Sequence, residues 1–161
     1  MPVSRFVTDS SLDELARRLR FLGFDIETLR GARLEDLFHR ARRDGRIVLT
    51  LSARRPRRFA SVPAVTVTRG DLAGALRSVA IAHEPAGAPF SRCPSCNAAL
   101  RRRMSFEARG EVPGGVLRGN QALHDCPMCG KWYWEGSHTA RLREWLETAL
   151  GRPIGGPPAM A

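Results

Sequence analysis

Four cysteines form the clearest chemical pattern in the chain. Cys93-Pro-Ser-Cys96 and Cys126-Pro-Met-Cys129 are two C-x-x-C pairs, with residues 97–125 between them. Each pair can hold one edge of a metal ion, and two pairs complete the tetrahedral four-thiolate shell of a structural zinc site. Four free buried cysteines would not explain why proline follows the first cysteine of both pairs, and neither pair begins a helix as a redox pair does. The spacing therefore predicts Zn²⁺ held by Cys93, Cys96, Cys126 and Cys129.

Asp9 is the carboxylate whose position along the chain is most suggestive. It ends the first predicted strand, and ligands of an open α/β sheet bind at that end of the strands. A carboxylate at this place commonly holds Mg²⁺ or Mn²⁺ for phosphoryl chemistry, together with further carboxylates. The same side chain can instead cap the helix that follows. The residues alone leave both roles open.

The chain is strongly basic. Its 161 residues include 26 basic and 16 acidic side chains, a net charge of +10, and Lys131 is the one lysine. Such a balance favours a polyanionic partner, nucleic acid before an anionic membrane surface, because cations placed on phosphates release condensed counterions. A solvated basic surface that merely reflects arginine-rich composition is the alternative. The candidate nucleic-acid contacts are Arg17, Arg20, Arg54, Arg55, Arg57, Arg58, Arg101, Arg102 and Arg103.

The periodicity of apolar residues predicts an α/β domain over residues 1–82. Strands are expected at 4–8, 24–29, 46–51 and 65–68, and helices follow near 11–22, 34–41 and 72–81, the last capped by Asp71. This alternation builds a mostly parallel sheet with helices on its faces. No apolar run approaches the roughly 20 residues of a membrane span, and no secretory signal is evident, so we expect a cytoplasmic protein without a membrane partner.

Residues 83–91 (HEPAGAPFS) are rich in proline, glycine and alanine, and predict a linker. Residues 92–150 are expected to form a small zinc ribbon followed by a helix near 140–150, and the tail 151–161 is expected to be disordered. Arg101–Arg103 and the aromatic segment Trp132–Trp134 give the ribbon a possible nucleic-acid face. Packing of the ribbon is an equally good explanation for these aromatic residues.

These residues together resemble a known family. The motifs are Phe6-Val7-x-Asp9, Leu15-Ala16-Arg17-x-Leu19-Arg20-x-Leu22-Gly23-Phe24-Asp25, Gly45-Arg46-Ile47-x-Leu49-Thr50, Pro89-Phe90-Ser91-Arg92-Cys93-x-x-Cys96-Asn97 and Cys126-x-x-Cys129-Gly130-Lys131-x-Tyr133-Trp134-x-Gly136-Ser137-His138. They resemble the RNase domain family named for the C-terminal part of the Mut-seven exonuclease, and cover roughly residues 5–146.

The resemblance implies a PIN-like fold, a three-layer α/β/α sandwich with a C-terminal zinc ribbon, and metal-dependent hydrolysis of RNA. By analogy Asp9 is the first carboxylate for a catalytic Mg²⁺ or Mn²⁺, Asp25 is a candidate second, and Glu35 or Asp36 can supply another. The chain departs from the family after the third strand, where Ser52 stands at the place of an expected aspartate and four arginines follow.

Two functions therefore compete. The first is a metal-dependent endoribonuclease that uses Asp9, Asp25 and Asp36. The second is a protein that binds RNA, or a ribonucleoprotein, through its arginines and ribbon without cutting. A toxin of a toxin and antitoxin pair and a protein adaptor without nucleic-acid contact are weaker alternatives, and the adaptor leaves the charge unexplained.

Overall fold

The computed structural model describes residues 3–156, which form five α-helices and seven strands. The first unit contains β1 (Arg5–Asp9), α1 (Asp13–Phe21), β2 (Asp25–Leu29), α2 (Leu34–Asp44), β3 (Ile47–Thr50), β4 (Ala64–Thr66) and α3 (Leu72–Ala82). The remainder contains β5 (Arg101–Met104), α4 (Gly114–Gly119), β6 (Ala122–Asp125), β7 (Trp132–Tyr133) and α5 (Ser137–Leu150).

The central sheet has four parallel strands in the order β2-β1-β3-β4. Side chains alternate between its faces, as a strand period of two requires. Phe6 and Leu49 join the core beneath α1, α3 and α5, whereas Val7 and Val48 join the core beneath α2. Both faces are therefore covered by helices, and the predicted three-layer α/β/α sandwich with a parallel sheet is confirmed.

The ribbon is a three-stranded antiparallel sheet in the order β5-β6-β7. Its small apolar cluster contains Ala108, Val112 and Leu123, with Trp132 and Trp134 packed against it. So few buried side chains provide little stability, and a metal staple is the usual compensation in a unit of this size. No sequence pattern predicted α4 or β6.

The predicted assignment of α5 to the ribbon does not match its packing. Leu146 and Ala149 lie in the core shared with α1 and α3, and the Ala149 carbonyl accepts a 2.8 Å hydrogen bond from Arg77 of α3. The Arg18 guanidinium of α1 lies 4.0 Å from the centroid of the Trp145 ring. Along the chain the ribbon is thus inserted between α3 and α5, which pack together in the same helical layer.

The segments predicted as linker and tail also pack against the first unit. Gly87 donates a 3.1 Å hydrogen bond to the carbonyl of Gly23, whose positive φ of 92° and close backbone neighbours leave no room for a Cβ. Ile154 is buried in the main core and its N–H bonds to Glu147. The prediction of a disordered tail is wrong for residues 151–156, and residues 157–161 lie outside the described part. No helix within residues 3–156 has the length and apolar character needed to cross a bilayer.

Candidate functional site

The four predicted zinc ligands converge on one point. The Sγ atoms of Cys93, Cys96, Cys126 and Cys129 all lie within 4.8 Å of one another, with Cys93 to Cys129 at 3.7 Å and Cys96 to Cys126 at 3.4 Å. A tetrahedral zinc with Zn–S bonds of about 2.3 Å places its sulfurs about 3.8 Å apart. The cluster therefore has the donor type, number and spacing to hold a metal ion such as zinc.

Two copies of one backbone turn position these cysteines. Cys93 N–H bonds to the Ala98 carbonyl and Cys126 N–H bonds to the Lys131 carbonyl, each at 2.8 Å. The residue after each second cysteine, Asn97 or Gly130, adopts a positive φ of 71° or 73° and donates its N–H back to the first cysteine's carbonyl. Asparagine and glycine tolerate this left-handed conformation best, which explains both residue choices.

Hydrogen bonds around Cys93 favour its ligating form. Burial raises the pKa of the Cys93 thiol, whereas the Tyr133 hydroxyl 3.1 Å away and nearby backbone N–H groups lower it. The lowering is the larger effect, and the pKa falls to about 7. The thiolate is the form that binds metal. The Tyr133 side chain therefore belongs to the support of the metal cluster, and the sequence alone did not assign it this role.

Asp9 and Asp36 lie at the carboxyl edge of the central sheet, where ligands of parallel sheets bind. Asp9 ends β1, and its carboxylate accepts hydrogen bonds from the N–H (2.8 Å) and the hydroxyl of Ser11, so it caps the 3-10 turn that leads into α1. Asp36 lies in the first turn of α2 and accepts a 2.8 Å hydrogen bond from the Arg33 N–H. Both carboxylates thus stabilise helix starts.

The prediction that Asp25 joins Asp9 in one metal site is wrong. Asp25 begins β2 and pairs with Arg5, whereas Asp9 pairs with Leu29, so the two acids are separated by four residues along adjacent parallel strands. At about 3.3 Å per residue this is about 13 Å, at opposite edges of the sheet.

Asp25 joins the sheet to the ribbon instead. Its buried carboxylate accepts hydrogen bonds from Arg46 (2.8 Å) and from the Asn97 amide (2.7 Å), and Arg92 lies 3.6 Å away. Burial alone would raise the pKa of Asp25, but the bonds from Arg46 and Asn97 hold it below its usual value. Asp25 therefore stays ionised and anchors the turn that carries Cys93 and Cys96 at the amino edge.

The described side chains at the carboxyl edge do not form a convergent cluster of three or more carboxylates for a Mg²⁺ or Mn²⁺ ion. Glu35 is paired with Arg58, and Ser52 accepts a 3.1 Å hydrogen bond from the Arg54 N–H. Within residues 3–156, the four cysteines are the one group of three or more Cys, His, Asp or Glu side chains whose ligand atoms lie that close together. Hard divalent cations need several convergent oxygen ligands, and arginines repel them.

Arginines dominate the same edge. Arg54, Arg55, Arg57 and Arg58 follow β3, and all four are exposed. With Arg33 they form what we call the edge arginine group. Arg33 occupies the N-cap of α2, a position that usually carries Ser, Thr, Asp or Asn. The position of Arg33 between a strand and a helix was the available sequence signal for an arginine at this edge, but Arg33 was not among the predicted nucleic-acid contacts.

A cavity of about 460 Å³ lies within this group, lined by Arg33, Arg54, Arg58 and His39 together with Glu35 and Asp36. In the described part of the chain, Arg58 is the member of the group with a carboxylate partner, Glu35. The Arg58 guanidinium also lies 5.1 Å from the centroid of the Phe59 ring. The other four guanidinium groups carry their charge without an ion pair to a described acid, so positive charge is concentrated at this edge.

The prediction that Arg20 contacts nucleic acid is wrong. Its side chain is 1% exposed and donates to the carbonyls of Ile26 and Pro94, each at 2.9 Å, and to the Thr28 hydroxyl at 2.7 Å. Arg20 therefore ties α1 and β2 to the turn that carries Cys93 and Cys96.

The remaining predicted arginines have local partners. Arg17, Arg101 and Arg103 are paired with Asp13, Asp125 and Glu107. Arg102 lines a second cavity beside the ribbon.

Comparison with known proteins identifies the family. No curated protein and no solved structure matched the chain. The model of the Mut7-C RNAse domain matches residues 4–146, nearly the whole chain, including β1, the carboxyl edge and both cysteine pairs. The chain therefore belongs to the Mut7-C RNAse domain family, which indicates a ribonuclease-like function.

Proposed function

We propose that this protein binds RNA along the carboxyl edge of its sheet, by contacts between the edge arginine group and backbone phosphates. The observation that carries the proposal is the concentration of five arginines on one edge, four of them without an ion pair to any described acid. Guanidinium groups bind phosphate through paired N–H donors, and their fixed charge makes such binding insensitive to pH.

RNA is the polyanion favoured by the family and by the charge. Members of a ribonuclease family act on RNA, and a net charge of +10 attracts a phosphate backbone over a Debye length of about 10 Å at 0.1 M salt. Contacts of this kind position the backbone and carry little sequence information. We therefore expect binding that depends weakly on RNA sequence and strongly on salt.

We further propose that the ion held by the cysteine cluster is zinc and that its role is structural. Four thiolates complete a tetrahedral shell and leave no open position for substrate or water. The turn that carries Cys93 and Cys96 contacts Arg20 through the Pro94 carbonyl and Asp25 through the Asn97 amide, so a metal bound there would stabilise the junction between the ribbon and the sheet.

A charge-matched pair of variants tests the RNA surface. The edge variant carries Gln at Arg54, Arg55, Arg57 and Arg58. The control variant carries Gln at four exposed arginines elsewhere, Arg109, Arg118, Arg141 and Arg152. We expect the edge variant to bind single-stranded RNA at least about tenfold more weakly at 0.1 M salt, and the control variant to stay within about threefold of wild type. Equal losses in the two variants would exclude a localised surface.

RNA cleavage at the same surface is the second candidate function. The family membership and the position of Asp9 at the carboxyl end of β1 favour it. The test is incubation of mixed single-stranded and structured RNA with Mg²⁺ or Mn²⁺, comparing wild type with Asp9→Asn. Cutting that disappears in Asp9→Asn would establish a nuclease, and binding without cutting in both proteins would leave RNA binding as the function.

A further inference from the structure

A second cavity lies between the ribbon and the helical layer, far from the edge arginine group. Its volume is about 460 Å³, within the range of small-molecule sites. Arg92 lines it and also pairs with Asp25, which places the cavity at the amino edge of the sheet. The proposed RNA surface at the carboxyl edge does not use it.

One wall is a row of polar and aromatic side chains across the ribbon. In the strand register Arg102 lies opposite His124, and His124 lies opposite Tyr133. Directly opposite residues of an antiparallel sheet project to the same face, and all three side chains line the cavity. The ribbon therefore presents a cation, an imidazole and a phenol ring side by side.

The other wall is apolar and comes from the first unit. Phe21 and Phe90 pack edge to face with ring centroids 4.1 Å apart, and Leu142 of α5 lies beside them. Phe90 has a φ of 65°, a left-handed conformation that is costly for a bulky side chain. Its N–H bonds to the Phe21 carbonyl at 2.9 Å, which fixes the strained residue in place. Strain of this kind is typical of positions whose side-chain direction matters to function.

We propose that this cavity binds one nucleotide, with the base against the apolar wall of Phe21, Phe90 and Leu142, and the phosphate at Arg102. Aromatic and apolar side chains suit the face of a base. The amides of Asn120 and Gln121 also line the cavity and can bond to base edges. The inference goes beyond the proposed function because this cavity is separate from the edge arginine group. A free nucleotide and a nucleotide of an RNA strand share the chemistry that would bind here.

Titration calorimetry with 5′-ribonucleoside monophosphates tests the proposal on the zinc-loaded full chain. Wild type should bind at least one of them with a Kd below about 1 mM, and the matching nucleoside and ribose 5-phosphate at least about tenfold more weakly. Arg102→Gln should weaken binding at least tenfold. Arg103→Gln, the matched control, removes the same charge from the next residue of β5 on the opposite face, and should change the Kd less than about twofold.

Three results would overturn the proposal: no saturable binding of any monophosphate, equal effects of Arg102→Gln and Arg103→Gln, or unchanged binding after the cavity is filled by Ala122→Trp. Retained zinc content and melting temperature show that each variant is folded. The edge variant should keep mononucleotide binding, so failure of this proposal and failure of the RNA surface are distinguishable. A tetranucleotide that binds more tightly than the monophosphate would identify RNA as the source, and equal affinities would identify a free nucleotide.

Discussion

Replacing Arg20 by methionine tests the structural role that its burial assigns. The substitution keeps the length of the side chain but removes the donors for the buried Ile26 carbonyl and the half-buried Pro94 carbonyl, bonded at 2.9 Å each, and for the Thr28 hydroxyl. A buried polar group left without a partner costs about 1–3 kcal/mol. With three acceptors affected, and some relief from no longer burying a charge, we expect a loss of about 3–5 kcal/mol in the free energy of unfolding.

Thermal unfolding with zinc present measures this loss. About 1 kcal/mol lowers the Tm of a domain of this size by about 2–4 °C, so Arg20→Met should lower it by about 6–20 °C. Arg17→Met is the control, because Arg17 lies on the same helix with an exposed side chain and a surface ion pair worth less than about 1 kcal/mol. An Arg20→Met protein with wild-type Tm but weakened RNA binding would refute the structural role and restore the sequence-based prediction.

Three further predictions concern the junction between the sheet and the ribbon. Cys126→Ser should lose the bound metal and unfold the ribbon, and one equivalent of tightly bound zinc in the purified variant would argue against four-thiolate binding. The folded-state pKa of Asp25 is lowered, so its contribution to stability is present above its unfolded pKa of about 4 and disappears as the pH falls through the folded value. Asp25→Asn should therefore reduce the loss of stability at acid pH, measured as the free energy of unfolding against pH. An unchanged acid dependence would contradict this. Gly23→Ala should lower the Tm clearly more than Gly31→Ala, although both glycines have positive φ. A Cβ at Gly23 would lie 2.1 Å from the Gly87 carbonyl oxygen, whereas no atom lies within 4 Å of a Cβ at Gly31. Equal shifts in Tm would exclude the close approach as the cause.

The order of the main elements followed from the sequence because the apolar periods are long and clear. Leu12, Leu15, Leu19 and Leu22 repeat at helical spacing, and all four are buried in the core. By contrast, β6 has the sequence Ala-Leu-His-Asp, in which only four residues alternate. Its strand conformation depends on pairing with β7 and with β5, which lies before α4 in the chain, and tertiary pairing of this kind leaves little local signal.

The errors in the predicted site have two physical causes. Asp9 and Asp25 were grouped by analogy with the family, but Asp9 ends a strand and Asp25 begins the next parallel strand, so their carboxylates lie at opposite edges. Arg20 was predicted to contact nucleic acid because of its charge, although it follows Ala16 by four residues on the buried side of the helix. The cysteine pairs were predictable because a tetrahedral thiolate shell fixes both donor type and spacing.

The salt dependence of RNA affinity tests the central proposal most directly. The logarithm of the association constant should fall linearly with the logarithm of salt concentration, with a slope that counts phosphate contacts. We expect the edge variant, which lacks Arg54, Arg55, Arg57 and Arg58, to have a slope shallower by about 3, and the charge-matched control variant to keep the wild-type slope. A wild-type slope in the edge variant would show that RNA phosphates are contacted elsewhere and would contradict the proposed surface.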